Sequence, residues 1–442
     1  MVLAKSTGSL LEERYRMGKA VISNRIYMDL PENKKELFDT LTYNIIKNPG
    51  KGRFETLEVI RNYRMVTPKI ISIPQGRLDL VPEGYEIIDK RVEIWEDFPD
   101  PRYNMYPEQA IIHDQVDDSC IINALVGWGK SSTALNIFAK LGQKTLVVVH
   151  NTSLRDQWVA EVEKLYGFTP GTIGAGQYDI STPIVIGNVQ SVTKKIQELS
   201  KEFGTIALDE CHHCPATTFS AVLDSSHARY RIGLSGTIKR KDGKEIIFRD
   251  YFGPTVFKPP QSNTMDPTIH TIKTDIKIPP GSTWAHRITT LLSDISYIEF
   301  IASLALVQAN KGHKVLVIAD RVQFLNKVSD LIGQRAVSIV GNTDDRAAEI
   351  DKIESGKADI LCGSRQIFSE GISINCLSCV ILATPIANNP TLEQIIGRIM
   401  RLSPNKLPPV VIDLHFAGVG IKAQNSQRIN LYIEKGWKIV SF

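Results

Sequence analysis

Ala124-Leu125-Val126-Gly127-Trp128-Gly129-Lys130-Ser131-Ser132 joins an apolar run, Ile121 to Val126, to a segment whose Leu135 and Phe138 have helical spacing. A glycine-rich turn that enters a helix directs backbone N–H groups at one point, and the helix N-terminus adds partial positive charge there, so the turn suits a phosphate. The expected roles are backbone contacts from Gly127, Trp128, Gly129 and Ser132, a terminal-phosphate contact from Lys130 and a Mg2+ contact from the Ser131 hydroxyl. Ala124 stands where the general pattern has its first glycine, so the stretch by itself also fits an ordinary strand–turn–helix.

Two later stretches bear on that choice. Ile206-Ala207-Leu208-Asp209-Glu210-Cys211-His212 reads as an apolar strand that delivers two adjacent acids to its carboxyl end, about 80 residues after the turn. Asp209 is expected to hold Mg2+, usually through water, and Glu210 to position and activate an attacking water. Gln394-Ile395-Ile396-Gly397-Arg398-Ile399-Met400-Arg401 follows Pro390 with helical spacing, so Gln394, Arg398 and Arg401 are expected on one helix face. Arginines grouped in this way suit a γ-phosphate, where they stabilise charge that develops in the transition state; a solvated basic face is the alternative. Together the three stretches make ATP with Mg2+ the expected ligand.

From residue 120 onward the chain repeats one habit, a short Val/Ile/Leu run, then a small or polar residue, then a helical pattern. Parallel strands covered on both faces and joined by crossover helices read this way. Ile121–Val126, Thr145–His150, Ile184–Gly187, Thr205–Asp209 and Arg231–Ser235 form one set; Lys314–Asp320, Val337–Val340, Asp359–Cys362, Cys379–Ala383 and Val410–Leu414 form a second. The expected fold class is α/β, with two tandem parallel-sheet domains at 99–256 and 257–442 preceded by a small α+β domain over 1–98. In the first part, Asp29–Asn48 has the spacing of an amphipathic helix opened by Pro31, with Leu37, Phe38, Leu41 and Ile45 on one face. Strand-like pieces lie around Lys69–Ile73, Arg77–Val81 and Tyr85–Ile94, and Gly253–Ser282, rich in proline and polar residues, reads as a linker and hinge.

A chain of 442 residues, 43% hydrophobic and 23% charged, has ample apolar surface for more than one core, which excludes a disordered polymer. A net charge of +4 permits a polyanionic partner without requiring one. No run approaches the roughly 20 apolar residues that span a bilayer, and Met1–Leu11 lacks a secretory pattern, so a cytoplasmic protein with no membrane partner is expected. Six cysteines are too sparse for a disulfide framework. Cys211 with Cys214 and Cys376 with Cys379 have zinc-like spacing, but both pairs sit at ends of apolar strands, where cysteine is a small buried hydrophobe, so no structural zinc is expected.

On these residues the chain resembles superfamily 2 helicases. Gly127–Ser131 resembles motif I, Asp209-Glu210-Cys211-His212 the DExH form of motif II, Ser235-Gly236-Thr237 motif III, and Gln394–Arg401 motif VI. Within the superfamily it is most similar to the XPB-like branch and to phage UvsW-type helicases. That narrower likeness rests on Val148–Trp158 with its Leu154-x-x-Gln157-Trp158, on Gly233–Gly243, on Phe252-Gly253-Pro254 and on Ser364–Ile374. It spans about residues 100–410 and implies RecA-like domains that couple ATP hydrolysis to movement on DNA, branched or forked. A phage-encoded member would work in the cytoplasm of a bacterial host, and a monomer is the favoured state.

The resemblance also assigns residues. It implies that Gln109 reads the adenine, that Gly371 lies at the nucleotide, and that His212, Ser235 and Thr237 couple hydrolysis to DNA. Arg155, Asn188, Gln190, Arg321, Ser364 and Arg365, all near strand ends, are the implied DNA contacts. Gly371-Ile372-Ser373 departs from the Gly-x-Asp of many superfamily members, so the usual aspartate is missing; UvsW-type sequences resemble this chain at that serine. The N-terminal module is expected to choose the substrate and to be removable, residues 1–98 being dispensable for basal hydrolysis. A duplex translocase that leaves strands paired, and a binding protein switched by ATP, use the same motifs and stay open as alternatives.

Overall fold

The computed structural model describes residues 18–47, 56–124, 128–211, 217–236, 247–259, 264–279, 281, 283–341, 343, 345–365, 368, 374–386, 389–417 and 421–442. Contacts divide the chain into two compact units that meet in sequence near Pro260. Among the described residues, no single helix is long and apolar enough to cross a membrane.

In the first unit an eight-stranded sheet runs in the order Gln177–Tyr178, Gly171–Gly174, Ile184–Asn188, Thr145–Val149, Thr205–Asp209, Tyr230–Ser235, Cys120–Asn123, Val256–Phe257. Every neighbouring pair is parallel except the two-residue edge strand against Gly171–Gly174. The inner strands are apolar runs because helices bury both faces: Val147, Val148, Ala207, Leu208, Ile232 and Leu234 are all fully buried. Register places Asp209 beside Leu234 and Ser235 beside Asn123, so three motif-bearing strands end together. The strand before the glycine turn stops at Asn123, short of the expected Val126. Two helices matter for the site. Lys130–Leu141 begins from Gly129, held in a left-handed conformation (φ 92°), and Thr152–Tyr166 begins from Asn151, whose side chain accepts the Leu154 N–H at 2.8 Å.

The second unit holds a seven-stranded sheet, parallel throughout, in the order Ala336–Ile339, Ile360–Ser364, Val315–Ala319, Cys379–Leu382, Val410–Ala417, Thr268–Lys277, Lys438–Ser441. The segment expected to be a linker therefore supplies an interior strand, Thr268–Lys277, as well as the edge strand Val256–Phe257. Its reading failed because only its first half is enclosed. Ile269 and Thr271 are buried, whereas residues beyond Lys273 alternate between exposed and half-buried, so no continuous apolar run marks the strand.

The N-terminal residues form a five-stranded sheet in the order Arg64–Thr67, Ile70–Pro74, Arg25–Asp29, Lys19–Ile22, Glu86–Asp89, antiparallel except for its last pair, with a separate hairpin of Thr42–Lys47 and Thr56–Arg61. The long helix expected over Asp29–Asn48 is only Lys34–Thr40. Thr42-Tyr43-Asn44-Ile45 follows period two instead, Tyr43 and Ile45 buried and Asn44 exposed, as β-branched and aromatic residues favour. Leu78–Leu80 within the expected strand Arg77–Val81 is a single 3₁₀ turn.

This module is fastened to the large sheet by buried polar contacts, which weigh against its being a removable piece. Asp250, fully buried on the short helix Phe248–Phe252, accepts from the Tyr43 hydroxyl at 2.9 Å, from Asn62 Nδ2 at 2.7 Å and from Arg77 Nη1 at 3.1 Å. Burial outweighs these donors and holds the Asp250 carboxyl above the usual range. At a second junction Asp224 accepts from Arg25 Nη1 at 2.6 Å and pairs with Arg64, while Arg231 Nη2 donates to the carbonyls of Asn24, Leu223 and Ser226 at 2.8–3.0 Å. Arg25 and Arg231 are each 1% exposed, so neither can turn to water if its partners are lost. Asp250→Ala, which strips Arg77 of a buried partner, is expected to lower unfolding free energy by about 3–5 kcal/mol in urea titrations. Removal of residues 1–98 is expected to leave the first unit unable to fold, read as loss of its cooperative transition.

Candidate active site

Gly129 ends the glycine turn and carries Gln109 against it: a Cβ at position 129 would lie 2.2 Å from Gln109 Nε2. Gln109 is 3% exposed on the helix Pro107–Gln115, and its Oε1 accepts the Tyr106 N–H at 2.9 Å, so its amide is oriented by its own helix start. Trp128 is buried, and Ser131 and Ser132 are half-buried in the first turn of the following helix. The Gly129 carbonyl accepts from Ser132 Oγ at 3.1 Å and Thr133 Oγ1 at 2.9 Å. Lys130 Nζ donates to the Ala124 carbonyl at 2.8 Å. Ala124 in turn donates its N–H to the Ser235 carbonyl at 3.1 Å, which ties the turn to the strand carrying Ser235. Ser235 itself is fully buried.

Asp209 ends the Thr205–Asp209 strand at 7% exposure. Its Oδ2 accepts the Trp158 indole N–H at 2.9 Å and its Oδ1 the Glu210 N–H at 3.0 Å. Burial first, and then the neighbouring Glu210 charge, push the Asp209 carboxyl above its ordinary range; the Trp158 donor, the Lys130 charge and the Glu210 N–H act the other way. Glu210 adopts φ 52°, a left-handed conformation that costs a non-glycine residue about 1–2 kcal/mol. Strain of this kind persists only where the surroundings enforce it, and it gathers at functional sites.

In the second unit Gln394 and Arg398 lie one turn apart on the helix Asn389–Met400, each 8% exposed, and Arg398 Nε donates to the Phe368 carbonyl at 3.3 Å. Arg401 does not share that helix, contrary to expectation. The helix ends at Met400, whose carbonyl accepts the Met265 N–H at 2.8 Å, and Arg401 bridges Thr264 in antiparallel fashion. Its Nη1 donates to Asn375 Oδ1 at 3.1 Å, and Lys406 Nζ donates to the Arg401 and Asn375 carbonyls at 2.6 and 3.1 Å. Burial, reinforced by the Arg401 charge, lowers the Lys406 ammonium to about 8.

The residues expected to touch DNA are differently placed. Arg155 is 8% exposed and donates to Asp156 at 3.0 Å, Asn188 is 7% exposed beside Gly174, and Gln190 is exposed. Arg321 donates to Thr289 Oγ1 at 3.0 Å, and Arg365 pairs with Asp320 at 2.8 Å, next to the half-buried Ser364. Gly127, His212, Cys214, Thr237 and Gly371 lie outside the described residues. Trp158, Asn375 and Lys406 were not singled out from sequence as site residues. Trp158 alone had a signal, its place in the Leu154-x-x-Gln157-Trp158 stretch.

A parallel sheet whose strand ends gather a glycine turn, a lysine and two adjacent acids defines a nucleotide-hydrolysing α/β class. Residues 86–240 match the family described as "Type III restriction enzyme, res subunit", and residues 296–403 match the "Helicase conserved C-terminal domain". The chain is 41% identical to "Probable helicase D10" of Escherichia phage T5 over 96% of each chain. It is 27% identical to "ATP-dependent DNA helicase uvsW" of Enterobacteria phage T4, over 73% of this chain and 70% of that one. Saccharomyces cerevisiae Dbp5 bound to RNA and ADP BeF3 matches with a TM-score of 0.53 at 12% identity, covering 76% of this chain and 94% of that one, a likeness of fold alone. The chain belongs to the superfamily 2 helicases and is an ATP-hydrolysing enzyme, its two parallel sheets being RecA-like.

A carboxyl with a raised folded-state pKa favours the folded chain at low pH, and that contribution is lost as pH rises through the folded value. Asp209 is such a group, so its charge opposes folding at pH 8. Asp209→Asn is therefore expected to raise the thermal midpoint at pH 8 in the presence of a chelator, measured by scanning calorimetry, while hydrolysis is lost. The gain should shrink at pH 4.

Proposed function

We propose that this chain is an ATP-dependent DNA motor that unwinds or remodels forked and branched DNA. The carrying observation is the buried Asp209, held at the end of its strand by two donors and close enough to Lys130 for that charge to favour its ionised form. The likeness to the relative named a DNA helicase supports DNA, and the branched substrate is what the resemblance to UvsW-type sequences implies.

The donor set fits a hard divalent cation: a carboxylate whose charge burial and Glu210 destabilise, and a serine hydroxyl in the first turn after the glycines. Bound by Asp209 and Ser131, Mg2+ would neutralise charge on the phosphates. In this reading the glycine turn and the helix Lys130–Leu141 cradle phosphate oxygens through backbone N–H groups, and the Lys130 ammonium exchanges its bond to the Ala124 carbonyl for the terminal phosphates. Glu210 orients a water and accepts its proton. Gln109, oriented by its helix start, reads the base. Gln394, Arg398 and Arg401 act on the γ-phosphate, and Arg155, Asn188, Gln190, Arg321, Ser364 and Arg365 track the DNA backbone.

Glu210→Gln is expected to keep nucleotide affinity and slow DNA-stimulated phosphate release by about 10²–10⁴-fold, while Lys130→Ala should abolish release with circular dichroism unchanged. Full turnover in either variant would show that the site is misassigned. Strand displacement on a fork and a four-way junction is expected to exceed that on a blunt duplex. ATP consumption with no displacement on any substrate would favour the duplex-translocase reading, which the match to a restriction-enzyme subunit supports.

A further inference from the structure

We infer that Trp158 is a positioning residue for the metal-holding carboxylate: its indole N–H, donating to Asp209 Oδ2 at 2.9 Å, fixes the plane of that group and so the direction in which its remaining lone pairs face the cation or its bound water. The inference rests on the reading of Asp209 given above and deepens it.

Trp158 lies in the helix Thr152–Tyr166, which follows the strand Thr145–Val149; that strand pairs directly with Thr205–Asp209, Val148 standing beside Leu208. The helix start is set by the Asn151 cap, so Trp158 reaches Asp209 from a rigid element and not from a loop. At 2% exposure its N–H has no access to bulk water, and a buried donor of this kind is costly unless an acceptor is supplied. A phenylalanine or leucine would fill the same apolar space without that requirement. An indole N–H can only donate, so it always presents a hydrogen to the carboxylate.

The geometry is that of a clamp. Each oxygen of Asp209 receives one donor, the indole on Oδ2 and the Glu210 amide on Oδ1, and two donors on opposite oxygens stop rotation about the terminal bond. Outer-shell hydrogen bonds of this type orient metal ligands and typically hold about 10–100-fold in metal affinity.

The test replaces the indole N–H and nothing else, by incorporating 3-benzothienylalanine at position 158, with Trp158→Phe as a second variant and Asp209→Asn as the reference. Mn2+ binding to the full chain with ADP, followed by electron paramagnetic resonance, reads the site without turnover; Mg2+ titration of ATP hydrolysis separates half-saturation from maximal rate. The benzothienyl chain is expected to keep its thermal midpoint, to bind Mn2+ about 10–100-fold more weakly, and to regain most of its rate at saturating Mg2+. Unchanged Mn2+ affinity and Mg2+ half-saturation in the benzothienyl chain, with both lost in Asp209→Asn, would overturn the role of Trp158 and leave that of Asp209 standing. Retention of Mn2+ binding in Asp209→Asn would overturn the reading of the acid itself.

Discussion

A carboxylate held out of water at the end of an interior strand organises the first unit. Asp209 is flanked by the strands Thr145–Val149 and Tyr230–Ser235, covered on both faces, and left nearly unexposed, so its charge is unfavourable unless the protein supplies partners. Those partners come from three places: an indole from the helix after the neighbouring strand, the amide of Glu210, and the ammonium of Lys130 from the glycine turn. In the proposed reading, a group that is costly when alone would serve as a fixed and receptive ligand for a cation, which is the sense in which active sites trade stability for function.

The strained backbone at Glu210 belongs to the same arrangement. A left-handed turn immediately after Asp209 lets the chain leave the sheet at once. The Tyr230–Ser235 strand then connects the site to regions far from it. At its end the Ser235 carbonyl accepts the Ala124 N–H of the turn, and near its start Arg231 donates to the Asn24 carbonyl of the N-terminal module. Asp250, beyond that strand in sequence, is gripped by Tyr43, Asn62 and Arg77 of the same module. The N-terminal residues thus hold both the Tyr230–Ser235 strand and the Phe248–Phe252 helix. They form a structural part of the first unit.

Much of the fold was legible because fully covered parallel strands have to be apolar runs, and Thr145–Val149, Thr205–Asp209, Val315–Ala319 and Cys379–Leu382 are such runs. Thr268–Lys277 was not, since the sheet encloses only its first half and prolines stand on both sides of it. Thr42–Lys47 was mistaken for helix because Leu37, Leu41 and Ile45 recur every four residues; a hairpin partner, Thr56–Arg61, decides the matter and cannot be seen in local spacing. Arg401 looked helical for the same reason, until pairing with Thr264 draws its backbone out.

Sequence by itself determined the local chemistry: a glycine turn before a helix, two acids after an apolar strand, a glutamine and an arginine one turn apart. Each needs only neighbours within a few residues, and short-range sterics and periodicity specify these without help from the rest of the chain. Tertiary structure alone decided which donor meets which acid. Trp158 is 51 residues from Asp209, and Tyr43 is 207 residues from Asp250. Such pairs exist only because sheet register and helix packing bring distant side chains into a space without water, where a hydrogen bond is strong and its absence is costly.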